Sequence, residues 1–62
     1  MGETLVRISL KWATFGLVVR DGVVVEAPPI ATWTLKRLAE KVIAYYEQRG
    51  AIVGVAEEYR DE

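Results

Sequence analysis

Apolar and polar positions alternate from Thr4 to Lys11: Val6, Ile8, Leu10 and then Trp12 fall on one face, Leu5, Arg7, Ser9 and Lys11 on the other. That period of two predicts a strand with one buried face. Ala13 to Arg20 is again strand-like, but its large apolar side chains are Phe15, Leu17 and Val19, of the opposite parity. Residues 11–14 contain no Gly, Pro, Asn or Asp and so show no turn chemistry. A β-bulge or sharp bend between Trp12 and Thr14 is therefore expected, because one extra residue reverses the facing of every later position. On this reading the first two strands are one long bent strand or two strands at an angle.

Arg20-Asp21-Gly22-Val23 is the strongest local signal. Asp-Gly between two β-branched runs predicts a two-residue type I′ loop, whose central residues both need positive φ. The resulting register pairs Arg20 with Val23, Val19 with Val24, Val18 with Val25 and Leu17 with Glu26. Pro28-Pro29 then ends the second arm by removing two backbone donors. Leu35, Leu38, Ala39, Val42 and Tyr46 recur at i, i+3, i+4, i+7 and i+11, the stripe of an amphipathic helix. Thr32 or Thr34 is its expected N-cap. Gly50 stands where a left-handed residue closes such a helix, with Arg49 favourably placed in the last turn. Ala51 to Ala56 reads as a last strand, and the charged segment 57–62 is expected to fray.

These elements predict an α+β fold in one domain over residues 1–62. It is a small antiparallel sheet of three or four strands in β-β-β-α-β order, the first strand bent, with one helix on one face. The expected core is Val6, Ile8, Leu10, Phe15, Leu17, Val19, Leu35, Leu38, Val42, Tyr46 and Val53.

Composition sharpens this picture. With 62 residues the core is small, and domains of this size usually add disulfides, a metal or a partner subunit. Cysteine and histidine are both absent, which removes disulfides and the commonest metal ligands and leaves a partner subunit. No cofactor and no metal is expected. No apolar run approaches the length of a membrane span, and the first residues lack the pattern of a secretory signal, so a cytoplasmic protein without membrane contact is expected. Asn is absent, Gln48 is the only glutamine, and Glu, Lys and Arg are plentiful, a trend of hyperthermophile proteins that points to a thermophilic source.

Candidate chemistry is sparse. Triads and thiol nucleophiles need the His or Cys that this chain lacks, so no catalytic residue is assigned and no enzyme is expected. The acidic residues gather mostly in the last segment or on the outer helix face. Glu26 is the exception, and it reads as a solvated residue that discourages edge pairing. Two basic groups are the candidates for nucleic-acid contact: Arg7 and Lys11 on the outward face of the first strand, and Lys36, Arg37 and Lys41 near the helix start. Cations at a helix start oppose its dipole, which favours an anionic partner, whereas the net charge of −1 argues mildly against nucleic acid. Leu5 to Leu10 resembles the opening strand of ribbon-helix-helix repressors, but that fold needs two helices next, and a hairpin signal comes here instead. The stretch Ala27 to Trp33, with Phe15, reads either as a stiff crossover or as a small apolar docking surface.

The face count favours self-association. One helix covers one sheet face, yet the hairpin register leaves apolar residues on both, with Val18, Val23, Val25 and Ala27 on the second face. Ile52 repeats the pattern in the last strand. A homodimer or higher oligomer through Val18, Val23, Val25 and Ile52 is the expected state. The leading functional expectation is a small interaction protein, a homo-oligomer or accessory subunit. A nucleic-acid-binding regulator of viral or archaeal type is the alternative.

The segment from Thr14 to Trp33, with its Phe15-Gly16 strand, Asp21-Gly22 hairpin and Ala27-Pro28-Pro29-Ile30-Ala31 run, resembles a group of small phage and thermophilic-prokaryote proteins without an assigned activity. It departs from them at the helix start, where they carry a Gly-Lys pair and this chain has Thr34-Leu35-Lys36. The resemblance implies the strand–hairpin–helix–strand architecture and carries over no functional residue.

Overall fold

Ile8 stands directly opposite Phe15, and this pairing resolves the parity reversal seen along the chain. The computed structural model describes the backbone of residues 3–59 and, within that range, the side chains as far as Val55. β1 (Glu3–Ser9) and β2 (Thr14–Arg20) are two separate antiparallel strands, not one bent strand. Residues 10–13 join them in a tight loop that the Leu10 N–H closes on the Ala13 carbonyl at 2.7 Å. Partners across the hairpin share a face, so even positions of β1 and odd positions of β2 point the same way without a bulge. Val6 opposite Leu17 and Ile8 opposite Phe15 form the middle of the core-facing side.

The Asp21-Gly22 loop is as expected: φ is 56° at Asp21 and 79° at Gly22, and β3 (Val23–Glu26) returns along β2. Arg20 pairs with Val23 and Val19 with Val24, but Val18 then pairs with Glu26 and not with Val25. Val25 is thus an extra residue on the edge strand, and the bulge reverses the facing of the residues after it. Ala27, expected on the second face, packs against the core for this reason.

The largest departure from the sequence pattern lies between Pro29 and Ala39. Pro29–Thr34 forms a 3₁₀ segment, and α1 spans only Ala39–Glu47. Neither Thr32 nor Thr34 caps the helix. Leu38 stands at the N-cap without a side-chain bond, and the buried Thr34 hydroxyl donates to the Ala31 carbonyl at 2.7 Å. The cause is a competing set of backbone bonds. The Lys36 N–H donates to Val24 (2.8 Å), the Val24 N–H to Arg37 (3.0 Å) and the Ala39 N–H to Gly22 (2.8 Å). Residues 36–39 thereby act as a short partner for the β3 edge, and Leu35 and Leu38, expected in the core, are exposed.

At its other end the helix closes as the pattern predicts. Gly50 takes φ 87°, the Gly50 N–H donates to Glu47 at 3.0 Å, and the Ala51 N–H to Tyr46 at 3.1 Å. This pair of bonds around a left-handed glycine is a Schellman closure. β4 (Ile52–Tyr59) then pairs antiparallel with β1 and runs three residues beyond Ala56. Residues 60–62 of the expected frayed end lie outside the described residues. The sheet order is β3-β2-β1-β4, so the chain crosses from one edge to the other along a single face. Val6, Ile8, Leu17, Val19 and Val24 are buried there beneath Ala31, Thr34, Val42 and Tyr46. Among the described residues no helix is long and apolar enough to cross a membrane.

Candidate binding surface

The helix-covered side carries an exposed aromatic group built on Tyr46. This residue is buried, and its ring meets Phe15 edge-on at 5.6 Å and Tyr45 at 5.1 Å. Its hydroxyl accepts a hydrogen bond from the Trp33 indole N–H at 3.2 Å, which fixes the indole at the rim of the core. Trp33, 41% exposed, packs edge-on against Tyr45 with ring centres 4.7 Å apart.

Each end of this ring pair carries a guanidinium. Arg37 lies 5.8 Å from the centre of Trp33, and Arg49 lies 3.8 Å from the centre of Tyr45, both within cation–π range. The Arg37 Nε–H also donates to the Trp33 carbonyl at 2.7 Å, which holds the side chain back along its own turn. The order across the surface is Arg37, Trp33, Tyr45, Arg49. Among the described residues the one ion pair joins Arg20 and Glu3 on the opposite side of the sheet, so these guanidinium groups are held by rings and not by carboxylates.

Trp33 and Tyr45 form a wall shared by two depressions. One, of about 350 Å³, is flanked by Lys36, Arg37 and Lys41 over Leu38 and Val42. The other, of about 360 Å³, is bounded by Trp12, Ile30, Phe15 and Arg49. Trp12 projects from the β1–β2 loop and is 74% exposed. Helical spacing separates the charges: Lys41, Tyr45 and Arg49 recur at i, i+4 and i+8, while Glu40 and Glu47 fall on the other flank of α1. The overall acidity also misstates this surface. Glu57, Glu58, Asp61 and Glu62 fall in the last six positions, and residues 1–56 carry seven basic against five acidic side chains.

The structure divides the residues expected to contact nucleic acid. Lys36, Arg37 and Lys41 converge on the first depression. Arg7 lies on the uncovered sheet face between Gly16 and Gly54, its direct partners on β2 and β4. Lys11 falls beyond the end of β1, in the exposed loop, and not on the strand with Arg7. The sequence pattern does not single out Trp12, Tyr45 and Arg49 as site residues, although it does point to Trp33 beside Phe15, and both line the second depression. The i, i+4 spacing of Tyr45 and Arg49 is the signal that could have found them.

The residues expected to drive self-association are also split. Val18 and Ile52 lie on the uncovered face, opposite Leu5 and Ser9 of β1, and Val23 joins them opposite Arg20. Val25 is the exposed bulge residue on β3. Glu26 is exposed beside it. Among the described residues, no group of three or more carboxylates gathers in a way that could hold a metal ion. In comparisons with known proteins, no family model, no curated protein and no solved structure matches this chain.

Proposed function

We propose that this chain is a non-catalytic interaction protein that works as a homodimer, joined by antiparallel pairing of β4 with the β4 of a second copy. The observation that carries this reading is the unequal treatment of the two sheet edges. The β3 edge is sealed by backbone bonds to residues 36–39. The β4 edge runs eight residues, and among the described residues no strand lies beyond it. Its first five, 52–56, carry neither charge nor Pro, and Glu57 and Glu58 follow at a register shift against β1. Natural sheets protect such edges with charge, Pro, bulges or a cover. Here the two glutamates and the register shift guard only the far end, and the uncharged stretch 52–56 is left as a template for another strand.

The side chains of β4 support the same reading. Ile52 is 75% exposed, and Val55 is 55% exposed although it stands beside Val6 on the helix-covered face. A two-fold axis perpendicular to the sheet keeps the faces of both copies aligned, so each residue meets one of its own parity. Centring the axis on Gly54 sets Val53 opposite Val55 of the second copy and Ile52 opposite Ala56. The first pairing extends the small core across the interface. Closed two-fold symmetry is the commonest arrangement of such contacts.

Light scattering after size exclusion, at micromolar concentration, tests the proposal. The expected mass is twice the 7.0 kDa of the chain, and Ile52→Lys with Val55→Lys should give a folded monomer. A wild-type protein that stays monomeric into the hundred-micromolar range overturns it, as does a doubly substituted protein that remains dimeric.

A further inference from the structure

We propose that the surface ordered Arg37, Trp33, Tyr45, Arg49 is a binding site for single-stranded nucleic acid. The inference is independent of how β4 is paired, because none of these residues lies on β4 or on the uncovered face.

Ligand chemistry can be read from the groups on display. Exposed aromatic rings offer stacking platforms for planar groups, and guanidinium and ammonium groups on either side attract anions. A ligand that alternates a planar group with an anion along its length matches both features at once, and a nucleic-acid strand has that repeat. A strand crossing the Trp33–Tyr45 wall would set one base against the rings, with phosphates toward Lys36, Arg37 and Lys41 on one side and Arg49 on the other. Trp12, whose indole bounds the second depression, provides a further platform for the next base. The strand must be single, because a duplex hides the faces of its bases and leaves nothing to stack on the rings. A proline-rich peptide would also use exposed indoles, but it has no use for four cations that carry no carboxylate partner among the described residues.

The backbone at Lys36 is an independent pointer to the same place. Lys36 holds φ at 69°, a left-handed conformation that a side chain other than glycine adopts at a cost. The Lys36 and Arg37 N–H groups are bonded to Val24 and Thr34, so the fold imposes this geometry and presents two adjacent cations at the rim of the first depression. Strain of this kind concentrates at functional sites. Glycine would serve the turn better, and lysine there makes sense if its ammonium group has a use.

Fluorescence anisotropy of a labelled, mixed-sequence DNA strand of about 12 nucleotides, repeated with RNA, tests the proposal at low salt. Saturable binding in the micromolar range is expected, with a duplex of equal length binding at least tenfold more weakly. Trp12→Ala should weaken the single strand by about tenfold. Arg37→Gln with Arg49→Gln should lower affinity and reduce the dependence of log K on log salt by about 1.4, the loss of two phosphate contacts. Trp33→Ala disturbs the core rim, so Lys36→Gly, which relieves strain, is the control for folding: affinity should fall while stability rises. Absence of binding at low salt overturns the proposal. So do equal binding of duplex and single strand, loss of binding on Arg7→Gln with none on the arginine pair, or a proline-rich peptide that binds in preference to the strand.

Discussion

The Val24 N–H donates to the Arg37 carbonyl at 3.0 Å, and the same Arg37 carries its guanidinium over Trp33. One residue therefore seals the sheet edge with its backbone and equips the exposed aromatic surface with its side chain. The segment that closes the fold on one side is the segment that builds the candidate site, and the two roles separate on substitution.

Lys36, next to it, shows this most directly. Its φ of 69° costs about 1–2 kcal/mol relative to a residue free of a Cβ. Glycine gives back about 0.5–1 kcal/mol of that through the greater freedom of the unfolded chain. Lys36→Gly is expected to raise stability by about 0.5–1 kcal/mol, read as a higher urea midpoint with an unchanged slope. Lys36→Ala, which keeps the Cβ, should show no such gain.

Two glycines give opposite expectations. A Cβ added at Gly22 or at Gly54 would meet no heavy atom within 4 Å, so crowding plays no part at either position. Gly22 has φ 79° in the hairpin loop, and Gly22→Ala should cost about 0.5–1 kcal/mol, the left-handed penalty less the entropy that alanine removes from the unfolded chain. Gly54 lies inside β4 with no positive φ, and Gly54→Ala should raise monomer stability by about 0.5–1 kcal/mol through the lower entropy of the unfolded chain. Thermal or urea unfolding of the two variants side by side checks the contrast.

A third comparison tests the register of the chain between Thr34 and Ala39. Leu17 is fully enclosed between sheet and helix, and Leu17→Ala should cost about 2–5 kcal/mol. Leu38 belongs to the same sequence stripe as Val42 and Tyr46 but is 46% exposed, and Leu38→Ala should cost less than about 1 kcal/mol. A Leu38 variant as damaging as the Leu17 variant would mean that the helix begins a full turn before Ala39.

Features decided by local rules were legible in the chain. The Asp21-Gly22 loop needs only two residues of positive φ, and the closure at Gly50 needs only one left-handed position after an amphipathic stripe. The α+β class and the core-facing residues of β1 and β2 are read from a period of two, which holds whatever the strands pair with. Of the site, the cluster of Lys36, Arg37 and Lys41 was visible as a run of charge at a helix start.

Tertiary structure decided the rest, and the reason is competition between near and distant hydrogen-bond partners. Residues 36–39 have a helical pattern, but their backbone groups bond to Gly22 and Val24, a dozen or more positions earlier, and this pairing delays the helix to Ala39. The exchange exposes Leu35 and Leu38 and turns Thr34 inward. The Val25 bulge reverses the facing of Ala27, a displacement that no residue type in β3 announces. The aromatic surface depends on the same event, because Trp33 reaches Tyr45 and Tyr46 only once the 3₁₀ segment has been docked against α1. Strand and turn preferences are settled over a few residues, whereas edge sealing and ring stacking join parts of the chain whose separation in sequence says nothing of their distance in space.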